Sequence, residues 1–211
     1  MSKETELCFY ALVTNPDGFE QAVSQEIQEQ YEHVVMTPDG KKNKQRIRAT
    51  TRNGDVSYEE TIKLYSADEA VLLSAHEPSV PITKDYFDSW KKLFSPKGVN
   101  KIRYIFISKE VELEAEGQTV KLPEVKYEVD IMLNADGKRS RWCKIDIEID
   151  GILAYLKEHH PEITKFDTTV KLSSLPIKPE NAFSGVTEDE AERKAIAAFW
   201  DAFSIKPESA E

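Results

Sequence analysis

The feature that most constrains this chain is a two-residue alternation of charged and apolar side chains, repeated along most of its length. Around residue 145, Lys144, Asp146, Glu148 and Asp150 occupy one phase and Ile145, Ile147 and Ile149 the other. A β-strand sends successive side chains to opposite faces, so such a segment has one ionic face and one apolar face. The pattern recurs at 4–13, where Glu4, Glu6 and Cys8 oppose Leu7, Phe9 and Ala11. It recurs at 44–52 (Arg46 and Arg48 against Ile47 and Ala49), at 58–65 (Thr61 and Lys63 against Ile62 and Leu64) and at 101–104 (Lys101 and Arg103 against Ile102 and Tyr104). Residues 110–116 set Glu110, Glu112, Glu114 and Glu116 against Val111, Leu113 and Ala115, and 127–131 set Glu128 and Asp130 against Tyr127, Val129 and Ile131. Further strands are expected near 70–75 and 167–172. Asn53-Gly54 is a strong two-residue hairpin signal, and Glu116-Gly117 and Asp136-Gly137 mark two more turns.

Helical spacing interrupts this pattern. It appears at 17–31 (Phe19, Ala22, Val23, Ile27, Tyr31), at 84–94 (Phe87, Trp90, Phe94) and at 152–157. A C-terminal helix is expected from Thr187, where Thr187 and Glu190 form a capping-box pair, running on through Ala191, Ala195, Ala198, Phe199 and Phe203. Residues 176–185 read as a linker, and the tail after Pro207 as loose. The expected organisation is one β-rich domain over 1–175, followed by the linker, helix and tail over 176–211.

About eight strands with one ionic face each can be arranged in two ways. An open antiparallel sheet would put the apolar face on a core and the ionic face in water. A closed sheet would turn the apolar face outward onto the helices and the ionic face inward, and would remove exposed edges. Closure is favoured by the scarcity of Ser, Thr and Asn on the ionic face and by the pairs Arg46/Arg48, Lys101/Arg103 and Asp146/Glu148 at places where they could face one another. The expected fold is therefore α+β: a closed, mainly antiparallel eight-stranded β-barrel with a polar interior, helices packed outside and a C-terminal helix. A charged interior needs water or a ligand of matching charge. Polyphosphate with a divalent cation fits, because Arg and Lys neutralise phosphate oxygens and carboxylates hold Mg²⁺ or Mn²⁺.

Composition narrows the partners. The net charge of −10 argues against non-specific nucleic-acid binding, and no apolar run approaches a membrane span. The N-terminal MSKETELCFY has no basic region followed by a long apolar core, so no secretory leader is expected. Two cysteines, Cys8 and Cys143, make no disulfide framework and no zinc spacing, so a cytoplasmic location is expected. A small molecule is the expected partner, with room left for a homodimer.

The motifs, in order, resemble the CYTH superfamily, the triphosphate tunnel metalloenzymes, over about residues 4–170. That family opens with Glu-x-Glu-x-Lys; here the strand reads Glu4-Thr5-Glu6-Leu7-Cys8, with a cysteine in place of the lysine. Arg46-Ile47-Arg48, Thr61-Ile62-Lys63, Lys101-Ile102-Arg103-Tyr104, Tyr127-Glu128-Val129-Asp130 and Asp146-Ile147-Glu148 are similar to its later strands. The family's Arg-x-Glu-x-Glu strand has no arginine in the corresponding stretch, 68–76.

The resemblance implies an eight-stranded tunnel and metal-dependent hydrolysis of a triphosphate-bearing ligand: a nucleoside triphosphate, inorganic triphosphate or similar. It implies metal ligands among Glu4, Glu6, Asp146 and Glu148, and phosphate-binding cations among Arg46, Arg48, Lys63, Lys101, Arg103 and Lys144. Glu4, Glu6, Lys63 and Arg103 are the expected catalytic set. Losing the lysine and the arginine lowers the positive charge, which keeps open a protein that binds or sequesters the ligand without turnover. The family's adenylyl cyclase branch keeps nucleotide cyclisation open too. Glu128 and Asp130 are read either as positioning a water or as completing the ion-pair network.

Overall fold

The computed structural model describes residues 3–14, 16–36, 42–65, 73–94, 97–115, 117–163, 175–185 and 187–205. Among the described residues, eleven strands and three α-helices make an α+β fold. In chain order these are β1 (Lys3–Leu12), β2 (Ser24–Met36), β3 (Lys42–Arg52), β4 (Asp55–Tyr65), β5 (Leu73–His76), β6 (Ser79–Pro81), α1 (Lys84–Phe94), β7 (Lys97–Ala115) and β8 (Gln118–Leu133). They are followed by β9 (Arg139–Glu148), α2 (Asp150–His159), β10 (Phe183–Ser184), α3 (Glu190–Phe203) and β11 (Ser204–Ile205). The Asn53-Gly54 turn joins β3 to β4 with φ of 53° and 90°, the positive pair that a two-residue primed turn requires.

All strand pairings are antiparallel, and the sheet runs β1-β5-β4-β3-β2-β7-β8-β9. β9 then pairs with the other edge of β1, from Glu6↔Glu148 to Leu12↔Trp142, so the sheet curls until its ends meet at β1. The expected closed eight-stranded β-barrel is nevertheless corrected, because the sheet curls round without closing into a barrel. Among the described residues, β5 alone spans the seam between β1 and β4. It meets β1 at residues 3–6 and β4 only at Leu64 and Tyr65. Farther along, β10 lines β1 and β6 lines β4, and these two do not pair with each other.

The stretch 17–31 is the other clear correction. It forms a short 3-10 turn at Pro16–Gln21 and then the long strand β2, not a helix. Apolar residues at 19, 22, 23, 27 and 31 satisfy helical spacing, but Val23 and Ile27 are exposed, so no apolar stripe is buried. The competing period-2 series Glu26, Gln28, Gln30 is buried instead. Strands on both sides satisfy the backbone of β2, with Gln30 opposite Arg48 of β3 and Val99 of β7. Tertiary pairing outweighs local periodicity here.

Smaller differences follow the same logic. α1 spans the expected 84–94, whereas the helix expected at 152–157 extends to Asp150–His159, taking Asp150 out of the preceding strand. α3 is capped by Asp189, whose carboxylate accepts from the Ala191 and Glu192 amides at 2.8 and 3.0 Å, so the helix begins after the Thr187 cap expected from sequence. The expected linker contributes β10 and a bridge between Ile177 and Val13. The strand expected at 70–75 is described only from Leu73, and the one at 167–172 and the tail after Pro207 lie outside the described residues.

The apolar phase of each strand faces outward. Leu7, Ile102, Tyr104, Tyr127, Val129, Ile131, Ile145 and Ile147 bury themselves with Phe19 and with Ile152 and Leu156 of α2. On the opposite flank, Tyr31, Ile47 and Ala49 pack under Phe87 and Trp90 of α1. The Tyr31 ring covers Gly98 of β7, its register partner. A Cβ at position 98 would overlap the ring carbons of Tyr31. Gly98→Ala is therefore expected to lower stability by about 1–3 kcal/mol, the usual cost of overpacking. Urea unfolding measures it, and a variant as stable as the wild type would mean that Tyr31 swings aside freely.

Candidate functional site

The ionic phase of the strands lines one cavity of about 660 Å³. It carries Glu6 and Cys8 from β1, Arg46 and Arg48 from β3, Lys63 from β4, Lys101 and Arg103 from β7, Asp130 from β8, and Lys144, Asp146 and Glu148 from β9. A second cavity of about 730 Å³ opens toward the β3–β4 turn and shares Arg48, Glu59, Arg103 and Glu128 with the first. Period 2 explains the convergence: Arg46/Arg48, Lys101/Arg103 and Asp146/Glu148 sit two residues apart and so project from the same face of their strands. Of the residues expected from sequence, all except Glu4 line the first cavity. Glu4 lies on β1 opposite Ala75, and its side chain is outside the description.

These charges are already matched against one another. Among the described residues, the first cavity is lined by eight Lys or Arg and nine Asp or Glu side chains. Arg48 meets Glu59 at 3.1 Å and donates to Gln30. Arg46 meets Glu77 at 3.5 Å, and Lys63 pairs with the same carboxylate. Lys144 pairs with Asp146, and Lys44 with Glu32 at 3.2 Å. The tightest unit is on β7 and β8. Arg103 Nε and Nη2 donate to the two oxygens of Asp130 at 2.7 and 2.8 Å, and Lys101 donates to the same carboxylate at 2.6 Å.

Burial sets the proton affinities. Burial opposes the Asp130 charge, but Arg103 and Lys101 outweigh it and hold its carboxyl well below the usual range. Burial likewise opposes the Arg103 charge, yet Asp130 and then Glu128 raise its pKa. Lys101 goes the other way despite its ion pair. Complete burial, reinforced by Arg103, brings its pKa down to about 7, because Asp130 is committed chiefly to Arg103. Arg48 is lowered to about 10 by burial and by Arg46 and Arg103. Burial and then Asp146 push the Glu6 carboxyl up. Cys8, where a lysine was the motif's expectation, is a buried neutral thiol with its pKa pushed up to about 12 by burial, which rules out a ready nucleophile.

A divalent cation was tested against the side chains present. Among the described residues, no group of three or more His, Cys, Asp or Glu side chains is placed to hold one. Two carboxylates do suit it. Asp146 Oδ1 is buried without a hydrogen-bond partner, and Glu6 resists ionising partly because Asp146 is nearby. A hard cation between them would satisfy both, with its remaining positions left to water or ligand oxygens. Glu148 is half exposed and paired with Lys126 at 2.8 Å.

Sequence reasoning missed three groups. Gln28 and Gln30 of β2 were hidden by the helical reading, although Glu26, Gln28, Gln30 and Glu32 alternate with Ile27, Glu29 and Tyr31. Glu77 has no strand pattern around it that would mark it. Tyr10 and Trp200 close one side of the cavity, Trp200 Nε1 donating to Tyr10 Oη at 2.8 Å, and nothing in the sequence relates β1 to α3.

No family model and no curated protein matches this chain. Solved structures similar to it include the PH1819 protein of Pyrococcus horikoshii OT3, at 17% identity and a TM-score of 0.43 over 77% of this chain and 93% of that one. It is also similar to a putative adenylyl cyclase of Hippeastrum, HpAC1, described as having a dominant triphosphatase activity, at 13% identity and a TM-score of 0.41 over 81% and 93%. A third is the inorganic triphosphatase NE1496, at 18% identity and a TM-score of 0.36 over 70% and 74%. At these identities and TM-scores, the chemistry of the site rests on its own side chains.

Lys101 gives the site a measurable pH signature. Between about 7 and the ordinary lysine value of 10.5, the unfolded chain holds a proton that the folded chain has released. Stability therefore rises with pH across that window, and Lys101 adds no pH dependence outside it. The slope is at most about 1.4 kcal/mol per pH unit. Urea unfolding of wild type and Lys101→Met at about pH 7.5 and 9.5 isolates it, with the wild type gaining on the variant as pH rises. A stability difference independent of pH would mean that Lys101 keeps its proton when folded.

Proposed function

We propose that the curled sheet works as a tunnel in which a triphosphate-bearing ligand is hydrolysed with the help of Mg²⁺ or Mn²⁺. The observation behind this reading is the convergence of Arg46, Arg48, Lys63, Lys101, Arg103 and Lys144, from four strands, on one cavity that also holds a carboxylate pair. Cations fixed on opposing strands are suited to a chain of linked phosphates, because each can neutralise a different phosphoryl group without moving.

In this reading, Arg46, Arg48, Lys63, Lys101, Arg103 and Lys144 grip the phosphates. Glu6 and Asp146 would hold the cation, with Glu148 and the sequence-expected Glu4 as further candidate ligands. Bound there, the metal would offset charge on the phosphoryl oxygens. Lys63 and Arg103 oppose the charge that builds as water adds to the terminal phosphorus and the bridging P–O bond breaks.

A second reading, binding without turnover, is favoured by Cys8. Its neutral thiol leaves uncovered the charge that a lysine would supply.

Phosphate release from tripolyphosphate tests the first reading. Wild type with Mg²⁺ or Mn²⁺ is expected to turn over, and chelator to stop it. Glu6→Gln and Lys63→Gln are each expected to lose about 100-fold. Release equal in all three proteins would discard the reading. Tight calorimetric binding with no phosphate released would select the binding protein.

A further inference from the structure

We propose that Glu77 is an internal substitute for a phosphoryl group: its carboxylate occupies an anion site between Arg46 and Lys63, and the ligand must displace it. This rests on the reading of the cavity as a polyphosphate site. Glu77 lies in the short link between β5 and β6, and its side chain is only 9% exposed. One carboxylate oxygen pairs with Lys63 Nζ and the other lies 3.5 Å from Arg46 Nη2.

The fit to Arg46 is incomplete. Its Nη2 donates to Thr61 Oγ1 at 3.2 Å, and Thr61 shares a hydrogen bond with Ser79 at 2.8 Å. Its Nε is buried without any hydrogen-bond partner. A buried donor left without a partner is destabilising, and a better-shaped anion would relieve that. A carboxylate has two oxygens to offer, one already given to Lys63. A phosphoryl group has three, enough for Arg46 Nε, Arg46 Nη2 and Lys63 Nζ together.

Asp130 makes the contrast. It also bridges two cations, but both of its oxygens are fully engaged at 2.6–2.8 Å, and its strand is held between β7 and β9. Asp130 is therefore part of the wall. Glu77 keeps a close pair with Lys63, but its contact with Arg46 is long and its side chain has several rotatable bonds, while the backbone beside it stays anchored through the Pro78 carbonyl to the Ile62 amide at 3.1 Å. Displacement needs the side chain to turn toward the opening and leaves the link in place.

This arrangement keeps the empty cavity charge-balanced and makes binding an exchange of one anion for another. The cost of removing Glu77 from two cations is subtracted from ligand affinity, so neutralising it should tighten binding. Calorimetric titration of tripolyphosphate, with and without Mg²⁺, into wild type, Glu77→Gln, Glu77→Asp and Arg46→Gln tests this. Glu77→Gln is expected to bind about tenfold tighter than wild type in both conditions. Its melting temperature should fall without ligand and rise more than that of wild type when tripolyphosphate is added. Glu77→Asp, too short to hold both cations, should bind with intermediate strength and carries the test if the Gln variant does not fold. Binding by Glu77→Gln that is unchanged or weaker, while Arg46→Gln is weakened, overturns the proposal and leaves the polyphosphate reading intact. Weakening of Glu77→Gln only when Mg²⁺ is present overturns it by making Glu77 a metal ligand. Absence of binding in all four proteins removes the polyphosphate reading and this proposal with it.

Discussion

The structure depends on the matching of buried charge around Arg103 and Asp130. Turning the ionic face of a sheet inward removes many charges from water, and isolated charges in such a place would cost several kcal/mol each. The bidentate contact between these two groups, joined by Lys101 and flanked by Glu128, ties β7 to β8 at the level where the two cavities meet. With that unit in place, the opposite faces of the same strands are free to be almost wholly apolar. Ile102, Tyr104, Val129 and Ile131 then join the outer core. One strand pair thus serves two environments, and the period of two keeps them apart.

The same matching qualifies the functional reading. A cavity of nearly balanced charge is not a general anion trap. It favours a ligand that can take over existing partnerships, and it gives a reason for a divalent cation to travel with that ligand. Burial and then the neighbouring Asp146 push the Glu6 carboxyl up, which is a state that a cation would relieve.

Much of the fold was legible because alternation is a local signal. The β3–β4 hairpin followed from Asn53-Gly54 and the Arg46/Arg48 and Thr61/Lys63 pairs, and α1 followed from Phe87, Trp90 and Phe94. β2 was not legible, because Phe19, Ala22, Ile27 and Tyr31 fit a helix until both neighbouring strands are known. The cation rows of the site could be read residue by residue, since each pair shares a strand. Glu128 and Asp130 could be read as ion-pair partners, but others could not: Glu77 reaches Arg46 and Lys63 only through the way β6 returns beside β4, and Trp200 reaches Tyr10 from the far end of the chain. Sequence spacing reports which face a residue takes. It does not report what stands across the cavity.

The joint beside β5 bears on how the cavity admits anything bulky. Few ladder bonds hold that strand to β4, whereas β2, β3, β7 and β8 are laced along most of their length. Widening the passage there breaks fewer backbone hydrogen bonds than it would anywhere else in the described wall. Lys63 stands beside this joint, and Glu77 directly follows the strand that forms it. The part of the lining that yields most easily is therefore also where two cations share one carboxylate.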